Sequence, residues 1–82
     1  MKSGWIKIDD TVVNTLYISN FRHQGVMTYY AILGESKERS AYDPDEVEYR
    51  KIMHALGMLT DEEYNDFRER LRKGLPIRRV KI

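Results

Sequence analysis

Residues 43–74 read DPDEVEYRKIMHALGMLTDEEYNDFRERLRKG, and this stretch decides the fold class. Asp43 suits the cap of a helix, Pro44 its first position, and Glu46 follows three residues after the cap. Tyr49, Ile52, Met53 and Leu56 then recur at helical spacing as one apolar stripe. Gly57 is placed to close the helix in the left-handed conformation. A second helix opens at Thr60, where Glu63 completes a capping box and Leu59 can staple onto Tyr64. Its stripe is Tyr64, Phe67 and Leu71. Its first turn is acidic (Asp61, Glu62, Glu63) and its last basic (Arg70, Arg72, Lys73), as the helix dipole favours. Asp66–Arg70 and Glu69–Lys73 have the spacing of supporting ion pairs. Gly74 and Pro76 end it.

Upstream of Asp43 the pattern belongs to strands. Trp5 to Ile8 is a short β-type run ended by Asp9-Asp10. Thr11 to Asn14 and Leu16 to Arg22 form a second β-rich stretch with a bend at Asn14. His23-Gln24-Gly25 reads as a loop, since Gly25 tolerates positive φ. Val26 to Leu33 is rich in β-branched and aromatic residues. Gly34-Glu35-Ser36 turns the chain into Lys37 to Tyr42, a polar edge strand. The expectation is an α+β fold: an antiparallel sheet of three to five strands with a C-terminal helical hairpin on one face. The tail from Ile77 to Ile82 reads as a basic arm or a last short strand.

The segment from Tyr49 to Lys73 resembles the short C-terminal helical hairpin called SHOCT. Gly57, Leu59, Thr60, Glu63 and Tyr64 match its turn, followed by Phe67, Arg68 and Leu71. The resemblance covers about a third of the chain. It implies a role in protein association, often beside a β-rich domain in bacterial or phage proteins, and no catalysis.

The chain has 82 residues, 41% hydrophobic and 33% charged, which is the balance of one ordinary globular domain. The apolar run from Tyr29 to Leu33 is far short of the ~20 residues a membrane span requires. No apolar h-region follows Lys2, so no signal peptide is expected. With no cysteine, a domain this small is expected in the cytoplasm rather than in an export compartment, where disulfides usually staple such chains. Charge is segregated. Up to Gly34 there are three basic and two acidic residues, from Glu35 to Asp66 four and ten, and from Phe67 onward seven and one, which together make the 14 and 13 of the whole chain.

No pattern of known chemistry stands out. His23 and His54 lack a partner at metal-ligand spacing, and no thiol is available. The acidic clusters at Asp43–Glu46 and Asp61–Glu63 sit where helix starts want carboxylates. Neither a phosphate-cradling glycine run nor a nucleophile elbow is present. We therefore expect a non-enzymatic protein with no metal, no cofactor and no small-molecule substrate.

Strand alternation assigns Ile6, Ile8, Leu16, Ile18, Val26, Tyr30 and Ile32 to the face that meets the helices. The opposite face then carries Trp5, Lys7, Tyr17, Phe21, Met27, Tyr29 and Leu33. Two helices cover only one face of a small sheet. This leaves Trp5, Tyr17, Phe21, Met27 and Tyr29 as a protein-binding surface, for a host protein or for a second copy in a homodimer. Size and layout suggest a phage- or mobile-element-encoded inhibitor or adaptor. The alternative is nucleic-acid binding or regulation through Arg70, Arg72, Lys73, Arg78, Arg79 and Lys81, with bases stacked on the exposed rings.

Overall fold

A computed structural model describes residues 4–77. The fold is α+β, with five antiparallel strands and two helices among the described residues. The strands are β1 (Trp5–Ile8), β2 (Thr11–Asn14), β3 (Ile18–Gln24), β4 (Met27–Ile32) and β5 (Arg39–Tyr42). The helices are α1 (Val47–Ala55) and α2 (Asp61–Lys73). A single 3-10 turn, Thr15–Tyr17, joins β2 to β3.

The strands divide into two sheets. β1 and β2 form a hairpin, and β3-β4-β5 form a separate three-stranded meander. The division occurs at Asn14, where a bend was expected. Its side-chain oxygen accepts the Leu16 amide at 3.0 Å and turns the chain out of β2. The core lies between these layers. Ile8 and Val13 of the hairpin meet Tyr30 and Ala41 of the meander and Ile52 of α1. α2 packs on α1, where the Arg50 guanidinium lies 4.7 Å from the centre of the Phe67 ring.

The meander carries an irregularity that changes its faces. Ile18 pairs with Ile32 and Asn20 with Ala31, so Ser19 is an extra residue in β3. An extra residue reverses the side-chain phase of everything that follows. Phe21 therefore pairs with Tyr30 on the inner face and packs on Tyr49, ring centroids 5.4 Å apart. The expectation that Phe21 belongs to the outward aromatic surface is corrected on this ground. Leu16 and Val26, expected inside, are exposed, because the 3-10 turn and the β3–β4 turn take them out of the strands. His23 lies in β3 rather than in a loop.

Helix α1 begins later than its sequence suggests. Glu46, in the left-handed conformation, occupies the cap position. Asp43 performs the capping from farther back: its carboxylate accepts the amides of Glu48 at 3.0 Å and Tyr49 at 2.9 Å. The same buried carboxylate accepts the Thr28 hydroxyl at 2.7 Å, and the Asp43 carbonyl takes His23 Nε2 at 2.8 Å. One residue thus ties α1 to β3 and β4. α2 follows its sequence signals closely. Thr60 and Glu63 form the capping box and Gly74 ends the helix at φ 72°. The pairs Asp66–Arg70 and Glu69–Lys73 form at 3.1 and 3.2 Å.

Candidate functional site

The hairpin, the 3-10 turn and the end of the meander meet at a shallow depression. Its walls are Trp5, Val12, Asn14 and Tyr17, and Ile32 and Arg39 contribute from the meander. The depression holds about 140 Å³.

Backbone bonds fix this arrangement. Thr15 donates its amide and its hydroxyl to the Gly4 carbonyl, at 2.5 and 3.0 Å, which ties the 3-10 turn to the start of β1. The Leu33 amide donates to the Tyr17 carbonyl at 2.8 Å, which ties the same turn to the end of β4. At position 4 a Cβ would lie 3.1 Å from Asn14 Oδ1, a tight contact that the Asn14 side chain would have to shift to relieve. Arg39 is held by two bonds to Glu35, at 2.9 and 2.5 Å. Chiefly through those bonds, Arg39 keeps the Glu35 carboxyl below the usual carboxylate range.

The rim is apolar and open. Trp5 is 59% exposed, Val12 61%, Leu16 78% and Tyr17 54%. Leu33, bonded to the Tyr17 carbonyl, is exposed as well. Scattered apolar residues are normal on a surface, but an aromatic pair beside a depression on a backbone-anchored rim is not scattered.

The aromatic surface expected from strand alternation is thus divided. Trp5 and Tyr17 come together at the depression. Met27 and Tyr29 lie on the outer face of the meander, half-buried, where Met27 pairs with the exposed Tyr42. Arg22 covers Tyr29, its guanidinium 4.4 Å from the ring centre, and is itself bonded to Glu38. Phe21 lies on the inner face, partly buried against the core. Sequence reasoning missed Val12, which a two-residue alternation from Trp5 and Lys7 across the hairpin would have placed on the outer face.

A larger open groove of about 580 Å³ runs along α2 between Val47, Tyr64, Phe67 and Leu71, with Arg68 and Arg72 on its edge. Of the basic residues singled out in the sequence, Arg70 pairs with Asp66, and Arg72 and Lys73 pair with Glu69. Arg78, Arg79 and Lys81 lie outside the described residues. Among the described residues no three His, Asp or Glu side chains converge as metal ligands would, and no helix is long and apolar enough to cross a membrane.

Fold and surface together define a small α+β protein whose exposed Trp5 and Tyr17 rings flank a depression between two sheets. No family model, curated protein or solved structure matches the chain.

Proposed function

We propose that the protein is a non-enzymatic binding module that takes a protein partner at the surface formed by Trp5, Val12, Leu16 and Tyr17. One observation carries this reading: a tryptophan and a tyrosine, each more than half exposed, stand beside a depression on a backbone-anchored rim. Tryptophan and tyrosine are enriched at protein interfaces, and such rings provide large contact area at little entropic cost. Rigid support matters because ordering a loose surface on binding reduces affinity.

Such a module acts as an inhibitor or adaptor, of the kind phages and mobile elements encode, and a SHOCT-like α1–α2 hairpin suits a role in association. A cytoplasmic setting goes with this reading, since the chain has no cysteine to form a disulfide. Nucleic-acid binding through the C-terminal third has less support. Phosphates would have to displace Asp66 and Glu69 from Arg70, Arg72 and Lys73.

The test is affinity purification with two sets of variants. Trp5→Ser with Tyr17→Ser is expected to abolish capture of the partner while the circular dichroism spectrum stays unchanged. Arg72→Glu with Lys73→Glu is expected to leave capture intact. The reverse pattern contradicts the proposal.

A further inference from the structure

We infer that the free edge of β2 receives an extended peptide segment of another protein as an added antiparallel strand. This rests on the proposed binding surface and names the form of the partner that occupies it.

The pairing phase of the hairpin shows which backbone groups are unused. The register pairs Trp5 with Asn14, Ile6 with Val13, Lys7 with Val12 and Ile8 with Thr11. Continued by one residue, it sets Gly4 opposite Thr15, and the Thr15 amide bonds the Gly4 carbonyl. Antiparallel pairs alternate between those that exchange hydrogen bonds and those that do not. Ile6–Val13 and Ile8–Thr11 are then bonded pairs, while Trp5–Asn14 and Lys7–Val12 direct their N–H and C=O groups away from each other. On the β1 side the Lys7 carbonyl accepts Lys51 Nζ at 2.8 Å. On the β2 side, among the described residues, no hydrogen bond reaches the backbone N–H or C=O of Val12 or Asn14.

This edge also lacks the usual guards. Natural sheets protect free edges with charge, proline or a bulge. Thr11-Val12-Val13-Asn14 has no charge and no proline, and its pairing with β1 is regular. The depression lies beside it, so a strand bonded to Val12 and Asn14 directs one side chain toward Trp5, Tyr17 and Ile32. A volume of about 140 Å³ suits a single aliphatic side chain. Lys7, opposite Val12 on the outer face, has no carboxylate partner among the described residues. An acidic residue in the added segment complements it.

A lone strand fits better than a second copy. Ile32 and Arg39 of the meander already line the space next to the β2 edge. A second hairpin placed there would bring its own meander into the same volume. The partner is therefore an extended segment with alternating apolar side chains and an acidic residue, bound through main-chain hydrogen bonds and one pocket.

The test uses a fluorescein-labelled peptide, Thr-Val-Thr-Val-Thr-Glu, titrated into the isotopically labelled full chain and followed by amide NMR and anisotropy. The largest amide shifts are expected at Val12 and Asn14. N-methylating alternate peptide amides in one register is expected to weaken binding by roughly tenfold, and in the other register to leave it unchanged. Val12→Pro, whose lost N–H serves no bond within the hairpin, is expected to weaken binding to a similar degree. Equal binding of both methylated peptides and of Val12→Pro, with shifts at Trp5 and Tyr17, overturns strand addition while sparing the binding surface. No binding at millimolar peptide overturns strand addition too. Shifts at Val12 and Asn14 that grow with protein concentration in the absence of peptide overturn the choice of occupant in favour of a second copy.

Discussion

Phe21 lies against Tyr49 with ring centroids 5.4 Å apart, so the central aromatic residue of β3 packs against the core and joins the meander to α1. Trp5, an aromatic residue of the same predicted surface, is 59% exposed. The two are expected to lose different amounts of stability on truncation. Phe21→Ala should cost about 2 kcal/mol, at the low end for a phenylalanine because the side chain is only half-buried. Trp5→Ala should cost less than about 1 kcal/mol. Urea titration of both variants checks this, and a larger loss for Trp5→Ala contradicts the assignment.

Asp43 joins α1 to β4 through its carboxylate and to β3 through its carbonyl. Asp43→Ala leaves the buried Thr28 hydroxyl and two α1 amides without their acceptor. The expected loss is about 2–4 kcal/mol, combining a lost cap with a buried group left unpaired. Chemical denaturation measures it, and hydrogen exchange should show the first turn of α1 opening. An unchanged denaturation midpoint contradicts this role.

The bulge at Ser19 sets the phase of β3. Deleting Ser19 removes the extra residue and leaves Asn20 opposite Ala31 and Phe21 opposite Tyr30, so simple alternation from Ile18 keeps Phe21 inward. The deletion variant is expected to retain cooperative unfolding and the packing of Phe21 on Tyr49. A variant in which Phe21 turns to solvent, or that loses cooperative unfolding, contradicts the register.

Arg39 and Arg72 hold the carboxyls of Glu35 and Glu69 below the ordinary value of 4.5, in each case mainly by hydrogen bonding. A carboxyl lowered in the folded state contributes stability above its unfolded pKa and loses it as pH falls through the folded value. Both groups are exposed, so the effect is small and screened by salt. Between about pH 7 and about pH 3, the urea midpoint of the double variant Glu35→Gln, Glu69→Gln should fall slightly less than that of the parent. An equal or larger fall contradicts the sign.

The helical half was legible in the sequence because its signals are local. Thr60, Glu63 and Gly74 act within their own helix, and their roles follow from spacing alone. The same holds for Ile8, Tyr30 and Ile52, whose positions in short periodic runs placed them in the core. The parts not legible depend on pairing between strands. One extra residue at Ser19 reverses a face, and no local residue preference announces it. Asp43 read as an ordinary cap, but its carboxylate reaches the amides of Glu48 and Tyr49 across a turn ending in a left-handed Glu46. Of the candidate surface, Trp5 and Tyr17 were identified together. Val12 was missed although it pairs with Lys7 across the hairpin and so shares the outer face with Trp5 and Lys7.

Position-specific photo-crosslinking tests the binding surface most directly. The full chain is expressed in its native cells with p-benzoylphenylalanine in place of Tyr17, and separately in place of Glu62 on the far helix. The account predicts a discrete protein adduct from position 17 that disappears in the Trp5→Ser background, and none from position 62. An adduct from position 62 alone, or the same adducts from both positions, would contradict it.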